Sequence, residues 1–288
     1  KQKTAYEISL GLVGSEMCIR DSNRCNLITR AIKSVMGQTI TPDEIIVIDD
    51  GSTDGTDKII KNSYPDIILL KQKNRGVSCA RNNGIKNAKG TWVALLDSDD
   101  EWLPEKLEKQ LLAIQDNSSN KICHTNEIWV RNSVRVNPMK KHRKYGGDIY
   151  KYCLPLCVIS PSSIMIHKDI FKDVGLFDEN LPVCEDYDLW LRICSHYPVL
   201  YLREKLIKKY GGHNDQLSRQ YWGMDRFRIQ ALEKMINDPV LSENDRMATV
   251  GAAINKARIL QKGFMKHGHK EEAEKMTKKL AELETLYD

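Results

Sequence analysis

Three carboxylates lie within four residues where an apolar run ends, in the segment WVALLDSDDEWLP. The run Trp92–Leu96 is almost wholly apolar, which is typical of a strand buried on both faces of a sheet. The charges of Asp97, Asp99 and Asp100 repel one another, so the cluster favours a bound cation or full solvation. Hard oxygen ligands suit Mg²⁺ or Mn²⁺, and open α/β sheets bind ligands at this edge. The alternative is an acidic turn that caps the following helix.

Strands and helices alternate around this acidic segment. The residues from 44 to 115 predict a parallel sheet with right-handed crossovers. A helix predicted at 26–36 lacks a preceding strand, and the apolar trio Met17-Cys18-Ile19 is the expected surrogate in that slot of the sheet. The elements predicted before residue 115 are a helix at 26–36, strands at 44–49, 67–70 and 92–96, and helices at about 53–61, 78–88 and 106–114.

The rest of the chain begins with strands and ends in helices. Asn132-Ser133 interrupts a strand-like stretch and predicts a hairpin. The elements predicted here are a hairpin at 122–135, strands at 162–166, 199–202 and 206–209, helices at 168–174 and 185–195, and three C-terminal helices at 218–237, 242–267 and 269–286. The predicted fold class is therefore α/β, with a mostly parallel Rossmann-like sheet and a C-terminal helical extension.

Composition sets broad limits on the function. The chain has 288 residues, of which 41% are hydrophobic and 29% charged, as in soluble globular proteins. A net charge of +5, spread along the chain, argues weakly for an anionic ligand or a membrane surface and does not require nucleic acid. No apolar run reaches the length of a membrane span. Eight cysteines without a CxxC pair predict reduced thiols and a cytoplasmic location.

Residues 1–22 look foreign to the rest of the chain. The stretches KQKTAYEI and LVGSEMCIRDS resemble in-frame translations of sequencing-adapter oligonucleotides. A genuine but unusual N-terminus is the alternative. The expected organisation is a non-native segment at 1–22, a catalytic domain at 23–217 and a helical extension at 218–288.

Three motifs in a fixed order carry a family resemblance. DDGSTDGT follows the strand at 44–49, GVSCARNNGI covers most of the helix predicted at 78–88, and DSDD follows the strand at 92–96. This order resembles the family-two glycosyltransferases of the A-type fold, which transfer sugars from nucleotide donors. The resemblance covers roughly residues 23 to 220.

The resemblance implies roles for residues on the donor side. Asp50 matches the carboxylate that accepts from the imide N–H of the base, whereas a turn residue bonded to its own backbone is the alternative. Arg81 matches a residue that reaches toward the donor or braces the aspartates, and an exposed helix arginine is the alternative. Asp97 matches the ribose- or metal-side aspartate. Asp99 matches the direct ligand of a Mn²⁺ or Mg²⁺ ion that bridges the diphosphate.

The resemblance also implies roles further along the chain. Asp186, in EDYDLWLR, matches the general base that takes the proton from the acceptor hydroxyl, whereas an acidic first turn of a helix is the alternative. His213, in YGGHNDQLS, matches a histidine that contacts the metal or the diphosphate, and a structural histidine is the alternative. A single displacement assisted by Asp186 would invert the anomeric centre.

These roles predict an inverting, metal-dependent glycosyltransferase of bacterial cell-surface glycan synthesis. Its donor would be a nucleotide sugar, with a UDP-sugar favoured, and its acceptor a glycan or a lipid-linked glycan. The Lys-rich C-terminal helices are compatible with peripheral contact at the inner face of a membrane, although a solvated helical face explains them as well. One alternative is a degenerate nucleotide-sugar-binding fold without catalysis. A nucleotidyltransferase would need a glycine-rich, lysine-bearing phosphate loop, which the sequence lacks.

One departure from the family pattern concerns the first strand. Family members begin with an apolar strand that ends in a run packed against the base, but Arg20-Asp21-Ser22 stand where those residues belong. We therefore expect this chain to bind the donor poorly or to be inactive. We expect a family-like strand in place of residues 1–22 to increase donor hydrolysis.

Overall fold

A nine-stranded sheet runs through the computed structural model, which describes residues 8–12, 24–212 and 221–286. The strands β1 to β9 are Ile8–Leu12, Glu44–Asp49, Ile68–Lys71, Trp92–Leu96, Glu101–Trp102, Ile122–Arg131, Val134–Val136, Ile164–His167 and Leu200–Gly211. The helices α1 to α10 are Arg24–Met36, Thr56–Ser63, Val77–Asn87, Lys106–Asp116, Tyr150–Cys153, Ile170–Val174, Glu185–Cys194, Asp225–Ile236, Glu243–Lys266 and Lys270–Glu284. The predicted α/β class with a helical C-terminal region is confirmed.

The strand directions bring several strand ends to one edge of the sheet. The order is β3-β2-β1-β4-β8-β6-β9-β5, and β7 pairs with β6 as a hairpin. The first four strands are parallel. Strand β8 is antiparallel to both β4 and β6, so β6 runs in the direction of β4, and β9 is parallel to β6. The carboxyl ends of β2, β4, β6 and β9 therefore lie along the same edge, where open α/β sheets bind ligands.

Two apolar cores cover the two faces of the sheet. Successive side chains of a strand point to opposite faces. In β2, Ile46 and Ile48 therefore join one core and Val47 joins the other, and β4 and β8 alternate in the same way. The core that contains Val47 lies against α1 and α4 and includes Ile60 of α2. The core that contains Ile46 and Ile48 lies against α3 and α7. It also includes apolar residues of the three C-terminal helices, so these helices complete the core on that face of the sheet.

An ionic contact joins the C-terminal helices to α7. Lys234 of α8 donates to Asp188 Oδ1 in α7 at 2.8 Å, and it also pairs with Asp178. Asp188 is almost fully buried and holds Arg192 of the same helix at 2.7 Å. The division of the chain at residues 217 and 218 stays a prediction, but the described helices beyond it pack as part of one body with α7.

Two sequence-based expectations about strands were wrong. The slot between β2 and β4 is filled by Ile8–Leu12 and not by residues 17–19, which lie outside the described residues. The run ISLGL pairs with β2 over four residues and with β4 over five. The two predicted late strands form one strand, β9, because the polar residues 203–205 lie at a register shift in its pairing with β6. None of the described helices is long and apolar enough to cross a membrane.

Candidate functional site

The turn after β4 holds its three carboxylates in different environments. Asp100 is buried, and it accepts hydrogen bonds from Ser162 Oγ at 2.6 Å and from the Tyr210 amide at 3.0 Å. Burial, followed by the charges of Asp99 and Asp97, raises the pKa of Asp100 well above its ordinary value. Asp97 and Asp99 are only half-buried. These two, and not Asp100, are therefore the carboxylates that a ligand in the cleft can reach.

Arg81 joins this turn to the beginning of α7. Its Nη2 donates to Asp97 Oδ1 at 2.7 Å and its Nη1 donates to Glu185 Oε1 at 2.6 Å. The residue is 3% exposed, so the interpretation of Arg81 as an exposed helix arginine is wrong. Burial opposes the guanidinium charge, but Asp97 and Glu185 outweigh it and hold the pKa of Arg81 above its ordinary value. Arg81 thus braces Asp97 through a planar fork that can bind two carboxylates at once.

The beginning of α7 carries two adjacent carboxylates. Cys184 precedes them in the left-handed conformation, with φ 62°, which turns the chain sharply into the helix. Glu185 is buried against Arg81. Burial first, and then the charge of Asp186, raise the pKa of Glu185 to about 7, although Arg81 acts in the opposite direction.

Asp186 is held from two sides and remains half-buried. Its Oδ1 accepts a hydrogen bond from the Tyr187 amide at 2.7 Å, which is a favourable contact for a carboxylate at a helix N-terminus. Its Oδ2 accepts one from Cys157 Sγ at 3.3 Å. Because Glu185 shares Arg81 with Asp97, Asp186 lies close to the Arg81 guanidinium that binds the turn after β4.

Asp50 lies at the end of β2 with most of its acceptor capacity already used. Its Oδ1 accepts from Gln72 Nε2 at 2.8 Å and from the Arg75 amide at 2.9 Å, and its Oδ2 accepts from the Gly76 amide at 2.9 Å. Oδ2 keeps one lone pair for a further donor. The neighbouring Asp49 Oδ2 is buried and lies 4.0 Å from Lys71 Nζ, and it accepts no hydrogen bond from the residues that the structure describes. The role of Asp50 in binding the base stays a prediction, and Asp49 is a second acceptor at the same strand end.

A group of charged residues at the floor of the cleft was missed at the sequence level. Lys209 of β9 donates to Ser160 Oγ at 3.0 Å. Burial opposes its charge, but Glu127, Asp100 and Asp97 outweigh it and raise the pKa of Lys209. Buried Glu127 also pairs with Lys144 at 3.1 Å. Burial acts against ionisation of Glu127, yet the two lysines lower its pKa to about 2. The available signal was Glu127, an acidic residue inside a strand-like stretch.

The carboxylates of the β4 turn fit part of a divalent-cation site. Among the residues that the structure describes, no group of three or more His, Cys, Asp or Glu side chains forms a complete metal site. His213 lies outside the described residues, so its predicted contact stays a prediction. Mg²⁺ is commonly held by one or two carboxylates together with substrate phosphates and water. Asp97 and Asp99 supply that number of carboxylates.

Comparisons with known proteins agree on one family. Residues 22–175 match the family described as Glycosyl transferase family 2. A glycosyltransferase of Rickettsia felis is 30% identical over 245 residues, which are 83% of this chain and 40% of that protein. The amylovoran biosynthesis glycosyltransferase AmsE of Erwinia amylovora is 27% identical over 206 residues, which are 70% of this chain and 77% of AmsE. The chain spans about two fifths of the length of the Rickettsia felis relative.

The fold also matches a solved structure. Residues 1–349 of S. aureus TarS in complex with UDP-GlcNAc align with a TM-score of 0.68 at 20% sequence identity. The alignment covers 90% of this chain and 73% of the TarS chain. At this level of identity the likeness is one of fold.

Proposed function

The chain belongs to glycosyl transferase family 2, and we propose that it transfers a sugar from a nucleotide-diphosphate donor to a hydroxyl group with inversion at the anomeric carbon. One observation carries the proposal. The Arg81 guanidinium contacts Asp97 and Glu185 at once, which supports a site shared by the β4 turn and the neighbouring Asp186. The turn suits the donor diphosphate and Asp186 suits the acceptor hydroxyl.

We propose that the nucleotide lies over the carboxyl ends of β2 and β4. Asp50 and Asp49 would accept hydrogen bonds from the base, and Asp97 and Asp99 would hold a Mn²⁺ or Mg²⁺ ion. Such an ion neutralises charge on the departing diphosphate. The UDP-GlcNAc bound to TarS supports a UDP-sugar as donor, since the two proteins share the fold.

We propose that Asp186 is the general base. As the acceptor oxygen forms its bond to the anomeric carbon, its proton passes to an Asp186 carboxylate oxygen, and the bond to the diphosphate oxygen breaks. Arg81 does not take part in this transfer. It holds Asp97 and Glu185 in place through two hydrogen bonds, so that the donor and the base stay at a constant distance from each other.

The biological setting follows from the relatives and stays a proposal. AmsE is named for amylovoran biosynthesis, which supports a role in cell-surface glycan assembly with a glycan or lipid-linked acceptor. A cytoplasmic location with peripheral membrane contact would suit such an acceptor.

Replacing Asp186 by asparagine tests the role of the base. We expect D186N to lower the rate of sugar release from the accepted nucleotide sugar by about 10²–10⁴-fold, while calorimetry with Mn²⁺ gives an unchanged nucleotide affinity. Asp245 also lies half-buried in the first turn of a helix, α9, and it is outside the motifs that carry the family resemblance, so D245N is the matched control. The reaction is followed with UDP-, GDP- and dTDP-sugars, on this chain and on a version with a family-like first strand.

The outcomes separate the alternatives. Unchanged turnover in D186N would exclude Asp186 as the base. Nucleotide binding without turnover in both versions of the wild type would favour the degenerate binding fold. Turnover that appears only with the family-like strand would confirm that residues 1–22 impair this chain.

A further inference from the structure

The β6–β7 hairpin projects from the edge of the sheet that carries the cleft. Arg131 at the end of β6 pairs with Gly211 at the end of β9, on the same edge as the β4 turn. Asn132 and Ser133 both have positive φ, of 47° and 63°, which makes the tight two-residue turn typical of hairpins. The hairpin and the loop that returns from it therefore flank the entrance to the cleft.

This segment carries an uninterrupted positive charge. Residues 128–147 contain six Lys and Arg residues and no Asp or Glu, although acidic and basic residues are mixed over the chain as a whole. Five of the six are exposed, and we call them the basic flap. The basic flap consists of Arg131, Arg135, Lys140, Lys141 and Arg143. Within the described parts of the chain, none of the five forms an ion pair, and Arg131 and Arg143 lie only over aromatic rings of their own segment.

Exposed apolar side chains lie among these cations. Val134 is 64% exposed at the hairpin and Met139 is 61% exposed at the beginning of the returning loop. A surface that only needed to attract a soluble polyanion would gain nothing from them. Apolar side chains between cations are typical of a segment at the boundary of an anionic bilayer, where the cations meet headgroups and the apolar groups enter the acyl region.

The sixth cation links the basic flap to the cleft floor. Lys144 points inward, where it pairs with Glu127 at 3.1 Å and approaches Ser160 Oγ at 3.4 Å. Lys209 donates to the same Ser160 oxygen. Contacts through Glu127 and Ser160 thus join the segment of the basic flap to Lys209, beside Asp97 and Asp100.

We propose that the basic flap docks this protein on a bilayer surface that contains anionic lipids, with the cleft entrance toward the headgroups. The bilayer contact is made by this face and not by the Lys-rich C-terminal helices. The proposal does not depend on the chemistry of the cleft, because it concerns binding alone. It would give the enzyme direct access to an acceptor carried by a lipid.

Vesicle sedimentation of the full chain tests the proposal. We expect binding to phosphatidylcholine vesicles that contain phosphatidylglycerol, and at least about tenfold weaker partitioning without the anionic lipid. Replacing all five residues of the basic flap by glutamine should weaken partitioning by at least about tenfold. The control variant removes five exposed lysines of the C-terminal helices and should bind like wild type. Its substitutions are K262Q, K266Q, K270Q, K275Q and K278Q.

Both variants lower the formal net charge from +5 to 0, so a general charge effect would weaken them equally. Equal loss in the two variants, or loss only in the control, would overturn the proposal. A further variant, V134S/M139Q, keeps every charge and should bind vesicles several-fold more weakly while binding heparin unchanged. If it loses no vesicle binding, the flap is a general polyanion surface and the bilayer proposal is wrong. Circular dichroism checks that each variant is folded.

Discussion

Replacing Arg81 by methionine would show how strongly one guanidinium holds the cleft together. Methionine keeps much of the side-chain volume but leaves Asp97 and Glu185 without their cation. Arg81 is 3% exposed and Glu185 is 7% exposed, so water cannot take the place of the lost contacts. Removing one partner of a buried ion pair costs about 3–5 kcal/mol. Since the free energy of unfolding of a typical protein is about 5–15 kcal/mol, R81M should lose at least about a fifth of it.

The assay is urea unfolding followed by tryptophan fluorescence, with R75M as the matched control. Arg75 pairs with Glu179 at 3.0 Å, but its side chain is 64% exposed. Exposed ion pairs contribute about 0–1 kcal/mol, so R75M should remain close to wild type. The double variant R81M/E185Q should recover about 1–2 kcal/mol relative to R81M, because it removes one of the two uncompensated charges.

The pH dependence supplies an independent check. Without Arg81, the pKa of Glu185 rises further, and the folded state then binds more protons than the unfolded state. The free energy of unfolding of R81M should therefore fall as pH rises from about 5 to about 8, and its deficit should be largest at the alkaline end. Equal losses in R81M and R75M, or a deficit that does not shrink toward acid, would refute the reasoning.

Three further predictions concern single buried or half-buried groups. Because the pKa of Glu185 is raised to about 7, the unfolding free energy of the wild type should fall as pH rises from about 4.5 to about 7. E185Q should remove this slope in urea unfolding measured over that pH range, and an unchanged slope would contradict the prediction. Burial lowers the pKa of Lys106 to about 7, so stability should rise from about pH 7 to about pH 10.5, and K106M should abolish this rise. Because K106M also removes the hydrogen bond that Lys106 donates to Gln110 Oε1, its gain in stability at pH 7 should stay below about 2 kcal/mol. Since the Cys157 thiol donates to Asp186, C157A should move the acid limb of the rate profile upward by about half a pH unit, and C157S should not; identical profiles for both variants would exclude a positioning role for the thiol.

Local pattern was sufficient for most elements of the sheet. The β-branched run EIIVID and the apolar run WVALL were located correctly as β2 and β4, because burial on both faces leaves a mark in the sequence itself. The hairpin at Asn132-Ser133 was predicted from its polar break. The segment that fills the slot of β1 could not be predicted, since the choice depends on pairing with two strands about 35 and 85 residues away.

The candidate site shows the same division between local and distant information. The motif order indicated Asp97, Arg81 and Asp186; in the structure Arg81 binds Asp97 and Glu185, the residue before Asp186. The motif could not show that Asp100 is withdrawn from that cleft, because the amide that binds it belongs to Tyr210, 110 positions along the chain. Lys209 was missed for the same reason, since only the pairing of β6 with β9 brings it near Glu127.

The sharing of one apolar core between the sheet and the last three helices has an evolutionary consequence. The family match ends at residue 175, yet the core continues through Leu232 and Leu283. If recombination exchanged the C-terminal third between two relatives, the new helices would need an α7 surface that matches them. Without it, Lys234 would lose its partner Asp188 in α7. The helical end should therefore be inherited together with the helix that carries Asp186, while the hairpin, which is covered by nothing that the structure describes, is free to diversify from one lineage to the next.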